Sequence, residues 1–181
     1  MGLSFHYRGR LKSPELLQPL IEELTDIAKA NDWRYFVFDT EFKNGKFTDK
    51  PQKVDIYGIA ITPPGTDMVS FSFASNGKMC NVLTMQSNND LDDLEADEFI
   101  YYLSVKTQYT SVEIHKKLIL LFDYINNKYL EDFILDDEGQ FWETRDEKLL
   151  EANFDGNLSW IESFRSVLEN VPINKNESTE N

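Results

Sequence analysis

Residues 99–129 read FIYYLSVKTQYTSVEIHKKLILLFDYINNKY, and this stretch decides the fold class because it predicts a strand followed directly by a helix. The segment 99–107 is rich in aromatic and β-branched residues, which suit a packed, pleated surface. Thr110 and Glu113 form a capping box, which is typical of a helix start. The apolar stripe of the expected helix is Ile114, Leu118, Leu121, Phe122, Ile125 and Tyr129.

The chain before this stretch predicts one further helix and several strands. Alternating polarity predicts a half-buried strand at 3–11, and Ser13-Pro14 opens a helix that ends near residue 31. Pro19 either distorts the first turn or delays the regular helix to about Gln18. Four strands of an antiparallel meander are expected at 33–42, 54–62, 68–75 and 79–85. The first of them is apolar on both faces, which predicts a central position in a sheet.

The chain after this stretch predicts a last strand and two helices. The strand is expected at 132–135, and the helices at about 145–154 and 160–170, separated by Asp155-Gly156. The element order is then β-α-β-β-β-β-β-α-β-α-α. This order predicts an α+β fold with a mostly antiparallel sheet and helices packed on one face.

Length and composition predict one domain that spans residues 1–173 and a disordered tail at 174–181. Hydrophobic residues make up 41% of the 181-residue chain and aromatic residues 13%, so disorder of the whole chain is excluded. Cys80 is the one cysteine of the sequence, which rules out an internal disulfide and favours a reducing compartment. No apolar run reaches membrane-spanning length, and the N-terminus lacks the pattern of a signal peptide. We therefore expect a cytoplasmic protein without a membrane segment.

The net charge of −14 and the pI near 4.5 bear on the choice of partner. Such an acidic surface repels phosphate backbones, which argues against nucleic acid as a partner. It would attract a basic protein or divalent cations. The oligomeric state is left open by the sequence.

The string YFVFDTE at residues 35–41 places two carboxylates, Asp39 and Glu41, on one face at the end of an apolar strand. It resembles the first motif of the DEDD 3′–5′ exonucleases, in which an Asp-x-Glu pair holds Mg²⁺ for phosphodiester cleavage. That resemblance implies a metal site at Asp39 and Glu41. The family's other motifs are missing from the chain. The alternative is a strand whose end emerges into solvent.

Other candidate sites have a structural interpretation. The acidic stretch 90–98 lacks the glycine that an EF-hand loop needs at its sixth position, so a solvated charge run is expected there. His6 and His115 have no sequence neighbour that would orient them for catalysis. Cys80 is expected to act as a small hydrophobic residue. No catalytic residue and no cofactor is predicted from these patterns.

Charge is segregated along the chain. Arg8, Arg10 and Lys12 lie in a segment without acids, whereas residues 131–151 hold nine acids against Arg145 and Lys148. Aromatic residues surrounded by charge are typical of binding hot spots. The predicted interaction surface therefore comprises Asp136, Asp137, Glu138, Phe141, Trp142 and Glu143, with the alternative that both aromatic residues belong to the core.

Two hypotheses follow from the sequence. The first is a non-enzymatic interaction protein that presents an acidic face to a basic protein partner, for example as the inhibitor or antidote of a basic enzyme. The second is a Mg²⁺-dependent nuclease or phosphoesterase that uses Asp39 and Glu41. The sequence favours the first, because a phosphodiesterase normally offers its substrate a basic cleft.

Overall fold

Strand β1 (Ser4–Leu11) is the centre of the first sheet in the computed structural model, which describes residues 3–52, 55–87 and 98–169. Strand alternation buries Phe5, Tyr7 and Leu11, whereas Arg8 is exposed on the other face. Strands β5 (Leu103–Lys106) and β6 (Leu130–Asp137) pair with β1 on its two sides. Both pairings are antiparallel.

The second sheet has the order β2-β3-β4, formed by β2 (Arg34–Val37), β3 (Ile56–Thr62) and β4 (Val69–Ala74). The described residues thus form two three-stranded antiparallel sheets, where the sequence predicted one. The expected central position of segment 33–42 is wrong, because β2 is an outer strand of this sheet. Phe36 on β2 is 61% exposed, so the apolar residues on both faces of this strand do not mean that both faces are buried.

Residues 77–80 join the two sheets. The Met79 N–H donates to the Gly9 carbonyl of β1 at 2.9 Å, and the Ala74 N–H of β4 donates to the Lys78 carbonyl at 2.9 Å. The buried Tyr7 hydroxyl also lies 3.0 Å from both the N and the O of Ser70 on β4. These bonds tie β1 to β4 across the junction.

Helices α1 (Leu17–Ala30) and α3 (Val112–Tyr129) cover the core side of the sheets. A 3-10 helix at Pro14–Leu16 precedes α1, so the regular helix begins close to the predicted Gln18. α1 packs against β2 and β3, and α3 packs against β6. The ring of Phe122 on α3 contacts aromatic rings of both sheets, namely Phe5, Tyr7, Phe71 and Phe133.

A short helix, α2 (Val82–Ser87), replaces most of the strand predicted at 79–85. Met79 makes one antiparallel bridge with Phe73, and the chain then turns into the helix. The Asn81 side chain accepts hydrogen bonds from the N–H groups of Leu83 and Thr84 at 3.1 and 3.2 Å. Asparagine is a strong N-cap residue, so this cap overrides the apolar pattern that follows it.

The C-terminal region forms a short helix, α4 (Phe141–Thr144), and one long helix, α5 (Glu147–Glu169). The two predicted helices at 145–154 and 160–170 are therefore a single helix with Gly156 in its interior. The predicted caps also move by one or two residues. Asp146, and not Thr144, caps α5 by accepting from the Lys148 N–H at 2.9 Å, while Ser111, and not Thr110, caps α3.

The fold class is α+β, as predicted, with the order β-α-β-β-β-α-β-α-β-α-α. The prediction differs from this order at its fifth strand, where the helix α2 stands, and at its last two helices, which together correspond to α5. The acidic run Asp90 to Asp97 and the tail 174–181 lie outside the described residues. The domain boundary at residue 173 stays a prediction. In the part of the chain that the structure describes, no helix is both long and apolar enough to cross a membrane.

Candidate ligand-binding groove

A groove opens where the two sheets meet, on the face of the first sheet that points away from α3. Its main cavity, which we call the ring compartment, has a volume of about 630 Å³. That volume falls in the range of pockets that hold small ligands. The lining combines cations, aromatic rings and smaller residues: Arg8, Gly9, Arg10, Lys78, Phe99, Tyr101, Tyr102, Asp132 and Ile134.

Three cations converge on the ring compartment. Arg8 and Arg10 are two residues apart on β1, and Lys78 lies directly opposite Arg10 in an antiparallel bridge. Like charges placed opposite each other destabilise a sheet. The Arg10 Nε is 3.8 Å from a carboxylate oxygen of Glu131, a long ion pair, and the Arg8 side chain makes no ion pair among the described residues. Among the described residues that line the compartment, these three cations face one carboxylate, that of Asp132, so the positive charge of the described lining is only partly compensated.

Three aromatic rings form one wall of the compartment. They belong to Phe99 and Tyr101 of the 3-10 helix Glu98–Tyr101, and to Tyr102, which precedes β5. Phe99 is 77% exposed and Tyr102 is 46% exposed. The Lys78 ammonium lies 5.0 Å from the centre of the Tyr101 ring, within the range of a cation–π contact. The wall thus offers flat apolar surface beside positive charge.

A β-bulge shapes the floor of the compartment. Arg8 pairs with Ile134 and Arg10 pairs with Glu131, so two residues of β6 oppose Gly9 alone. The bulge holds Asp132 at a φ of 52°, a left-handed conformation that costs a non-glycine residue about 1–3 kcal/mol. Such strain is often found at functional sites, and here the strained residue lines the cavity.

A second cavity, the polar compartment, has a volume of about 390 Å³ and adjoins the first. The two share Arg10, Lys78 and Tyr101, and the polar compartment adds Thr48, Asp49 and Asn76. Asn76 is already engaged, since its Oδ1 accepts from the Lys78 N–H and its Nδ2 donates to the Tyr101 hydroxyl. Among the residues that the structure describes, the exposed Asp49 carboxylate accepts no hydrogen bond.

Comparisons with models of known families, with curated proteins and with solved structures find no match for this chain.

The structure divides the predicted acidic interaction surface into exposed and buried residues. Asp136, Glu138 and Glu143 are exposed, and Trp142 is half-buried beneath the Arg145 guanidinium at 4.9 Å. Asp137 and Phe141 are buried, with exposed fractions of 2% and 7%. These two residues are therefore not available to a partner. The surface for a basic partner stays a prediction for the other four residues.

Asp137 instead pairs with His115 in the core. Its carboxylate oxygens lie 3.1 and 3.2 Å from His115 Nε2, and both side chains are fully buried. The same carboxylate accepts from the N–H groups of Gly139, Phe141 and Trp142 at 2.7 to 3.0 Å. The helical pattern places His115 one position from the apolar stripe, but it cannot reveal this partner 22 residues away. Because the pair has no solvent contact, we expect its role to be structural.

The predicted metal pair follows β2, which ends at Val37, so Asp39 and Glu41 do not share the face of a strand as the sequence predicted. Asp39 and Glu41 are both exposed, and a bridge connects Asp39 to Tyr57 beside β3. No group of three or more histidine, cysteine or acidic side chains could hold a metal ion within ranges 3–52, 55–87 and 98–169. The metal-enzyme hypothesis thus has no support from a third ligand there, and it stays untested.

Cys80 is fully buried beside β4, and burial raises the pKa of its thiol to about 12, although a hydrogen bond with Ser72 acts in the opposite direction. The thiol is therefore protonated at neutral pH. Its interpretation as a small hydrophobic residue agrees with this environment.

The groove was only partly visible in the sequence. The alternation of residues 3–11 placed Arg8 and Arg10 on one solvent-facing side, and the absence of acids in that segment marked it as basic. No local sequence pattern indicated that Lys78 and the rings near residue 100 belong to the groove, because they reach β1 only through tertiary pairing. The short-range pattern of the segment 99–107 instead predicted a buried strand.

Proposed function

We propose that this protein binds a small anionic ligand that carries a planar apolar group, in the groove between its two sheets. The observation that carries the proposal is the convergence of three cations and three aromatic rings on one cavity. Cations supply charge-assisted hydrogen bonds to an anion, and aromatic faces supply stacking area. A pocket with apolar walls and a few convergent polar groups is the usual form of a ligand site.

The groove is cationic whereas the whole chain is negatively charged, and this difference favours a small ligand over a large one. The chain carries −14 overall, and this charge repels an extended polyanion that must lie along much of the surface. A compact anion instead feels mainly the cations that it contacts, because ionic screening weakens distant charges more than near ones. The groove therefore suits a ligand of the size of its cavities.

Binding of 1-naphthyl phosphate to the full-length chain tests the proposal, with 1-naphthol and inorganic phosphate as the two halves of the probe. We expect the complete probe to bind more tightly than either half, and Arg8→Gln to weaken it about tenfold, or about 1.4 kcal/mol. Asp132→Asn should strengthen binding, because it removes a negative charge from the cavity and asparagine still tolerates positive φ. Titrations followed by NMR chemical shifts measure the affinities.

Arg34→Gln is the matched control, since Arg34 is an exposed arginine on β2 of the second sheet. Its affinity for the probe should equal that of the unmodified protein. An Arg8→Gln variant that binds as tightly as Arg34→Gln would contradict the groove as the binding site. Absence of binding at millimolar probe would contradict the proposed function itself.

A further inference from the structure

We infer that the two compartments take a nucleoside diphosphate that carries a hydroxyl-rich group, with the diphosphate at the residues that both compartments share. This inference rests on the proposed function and names the ligand class for the same groove. Three parts of the groove carry it: the aromatic wall, the shared cations, and the carboxylate of the polar compartment.

The ring compartment fits a nucleobase. Phe99 and Tyr102 are exposed aromatic residues, and Ile134 on β6 is 53% exposed beside them. Stacking of a base on an aromatic ring tolerates any base, because every base has a π-face. His6 stacks on Tyr102 with ring centroids 5.3 Å apart and an interplanar angle of 18°, which supports the tyrosine ring from the sheet side. A flat group in the ligand can therefore meet an oriented ring.

The shared residues fit a diphosphate. Arg10 and Lys78 belong to both compartments, so the positive charge lies between the ring wall and the polar compartment. The Arg10 side chain is 42% exposed, and its Nε is buried without a hydrogen-bond partner. Its guanidinium lies 5.2 Å from the centre of the Phe47 ring. In a ligand that spans both compartments, the middle portion therefore contacts Arg10 and Lys78.

The polar compartment fits hydroxyl groups better than a terminal phosphate. Its Asp49 carboxylate can accept hydrogen bonds from hydroxyls, and it would repel a phosphate placed against it. Thr48 and Asn76 make internal hydrogen bonds, whereas the Asp49 carboxylate accepts none among the described residues, so Asp49 has the larger free acceptor capacity for a ligand. The order from wall to carboxylate is thus ring, anion and hydroxyls. A nucleoside diphosphate linked to a sugar has its groups in this order.

Calorimetric titration of the full-length chain with two matched series tests the inference: uridine, UDP and UDP-glucose, and adenosine, ADP and ADP-ribose. In at least one series we expect the diphosphate to bind about tenfold or more tighter than the nucleoside, because the shared cations contact it. The sugar-bearing member should bind about tenfold tighter again through its hydroxyl contacts. Tyr102→Leu should weaken all base-bearing probes and leave pyrophosphate unchanged.

Asp49→Ala gives the sharper readout because its two expected effects have opposite signs. It should weaken binding of the sugar-bearing probe and strengthen binding of the diphosphate, because a carboxylate that repels phosphate is removed. Asp26→Ala, which removes an exposed acid on α1, is the matched control and should change neither affinity. Thermal unfolding of each variant checks that the fold is kept.

The outcomes separate this inference from the proposed function. Equal affinities for the diphosphate and its sugar-bearing partner, unchanged by Asp49→Ala, would overturn the role of the polar compartment. Nucleotides that bind no better than pyrophosphate would overturn the base as the planar group. In both cases, binding of 1-naphthyl phosphate that depends on Arg8 would leave the proposed function standing. Failure of every anion to bind would overturn both.

Discussion

At the scale of single residues, the buried pair of His115 and Asp137 shows how one carboxylate organises several elements. His115 Nε2 faces two carboxylate oxygens, which can only accept, so this nitrogen carries a proton. His115 Nδ1 lies 3.1 Å from the Thr107 hydroxyl, which in turn is 3.3 Å from the Leu3 carbonyl. The network links α3, the end of β6, α4 and the chain beside β1.

Replacing Asp137 with asparagine should lower the free energy of unfolding by about 3–5 kcal/mol, the cost of removing one partner of a buried pair. The amide cannot accept three N–H groups while it faces the ring of His115. Asp136→Asn is the matched control, because the Asp136 carboxylate is next in the chain but exposed. Its loss should lower the free energy of unfolding by well under 1 kcal/mol. Denaturant unfolding at neutral pH measures both. Similar losses in the two variants would contradict a structural role for the pair.

The same carboxylate predicts how stability depends on pH. Burial acts to raise the pKa of Asp137, but the hydrogen bond and charge of His115, with the N–H groups of Trp142 and Gly139, outweigh it and hold the pKa below the ordinary value of 3.8. The folded state therefore binds this proton more weakly than the unfolded state does. The contribution of Asp137 is complete above about pH 4 and is lost as the pH falls further. Acid unfolding of Asp137→Asn should lack this component.

At the scale of elements, two glycines lie in opposite environments, Gly156 inside the helix that the sequence divided and Gly139 in the turn that follows β6. Gly156→Ala should raise the free energy of unfolding by about 1 kcal/mol, because an ideal Cβ there meets nothing within 4 Å and alanine is the better helix former. Gly139→Ala should instead destabilise by about 1–3 kcal/mol. Its Cβ would come within 2.9 Å of His115 Nε2 and 3.0 Å of an Asp137 oxygen.

Guanidinium chloride unfolding of the full chain measures both glycine variants under one set of conditions. If Gly156→Ala destabilised the protein, α5 would be interrupted at that position, as the sequence pattern suggested. If Gly139→Ala were neutral, the contact between the turn and the buried pair would be looser than the structure has it.

The elements show which patterns the sequence could predict. The α3 stripe was found because Leu118, Leu121, Phe122 and Ile125 repeat at helical spacing, and all four are buried. β1 was found because its alternation has a period of two. Asp155-Gly156 was misread as a helix end, since glycine at a C-cap and glycine in an exposed helix look alike locally. The Asn81 cap was missed because an apolar run followed it.

At the scale of the whole molecule, the groove exists only because distant segments meet. Lys78 reaches Arg10 through a bridge across 68 positions of chain, and the rings near residue 100 reach the same edge of β1, because they directly precede β5, which pairs with that edge. Local patterns contain no information about such pairings, so the sequence predicted the acidic character of the surface but not the cationic groove within it. The site is a property of the junction between two sheets.

Because the groove is positively charged and the whole molecule is negatively charged, we expect the association rate of an anion to depend on the salt concentration. At about 10 mM salt the Debye length is about 30 Å, so an approaching anion meets the repulsion of the entire chain, whereas at about 150 mM it is about 8 Å and the anion meets mainly the groove. We expect the association rate of 1-naphthyl phosphate to rise by a few-fold between these salt concentrations. An ordinary basic site shows the reverse, because salt screens its attraction.

Stopped-flow fluorescence of the bound naphthyl group measures this rate, and uncharged 1-naphthol gives the control, since its rate should not depend on salt. Arg8→Gln should lower the affinity at both salt concentrations, because the groove contact is short-ranged and survives screening. A rate that falls with salt would mean that the three cations dominate the field even at long range, against the net charge of −14. In that case polyanions would also be admitted, and the restriction to a compact ligand would have to rest on the shape of the cavities alone.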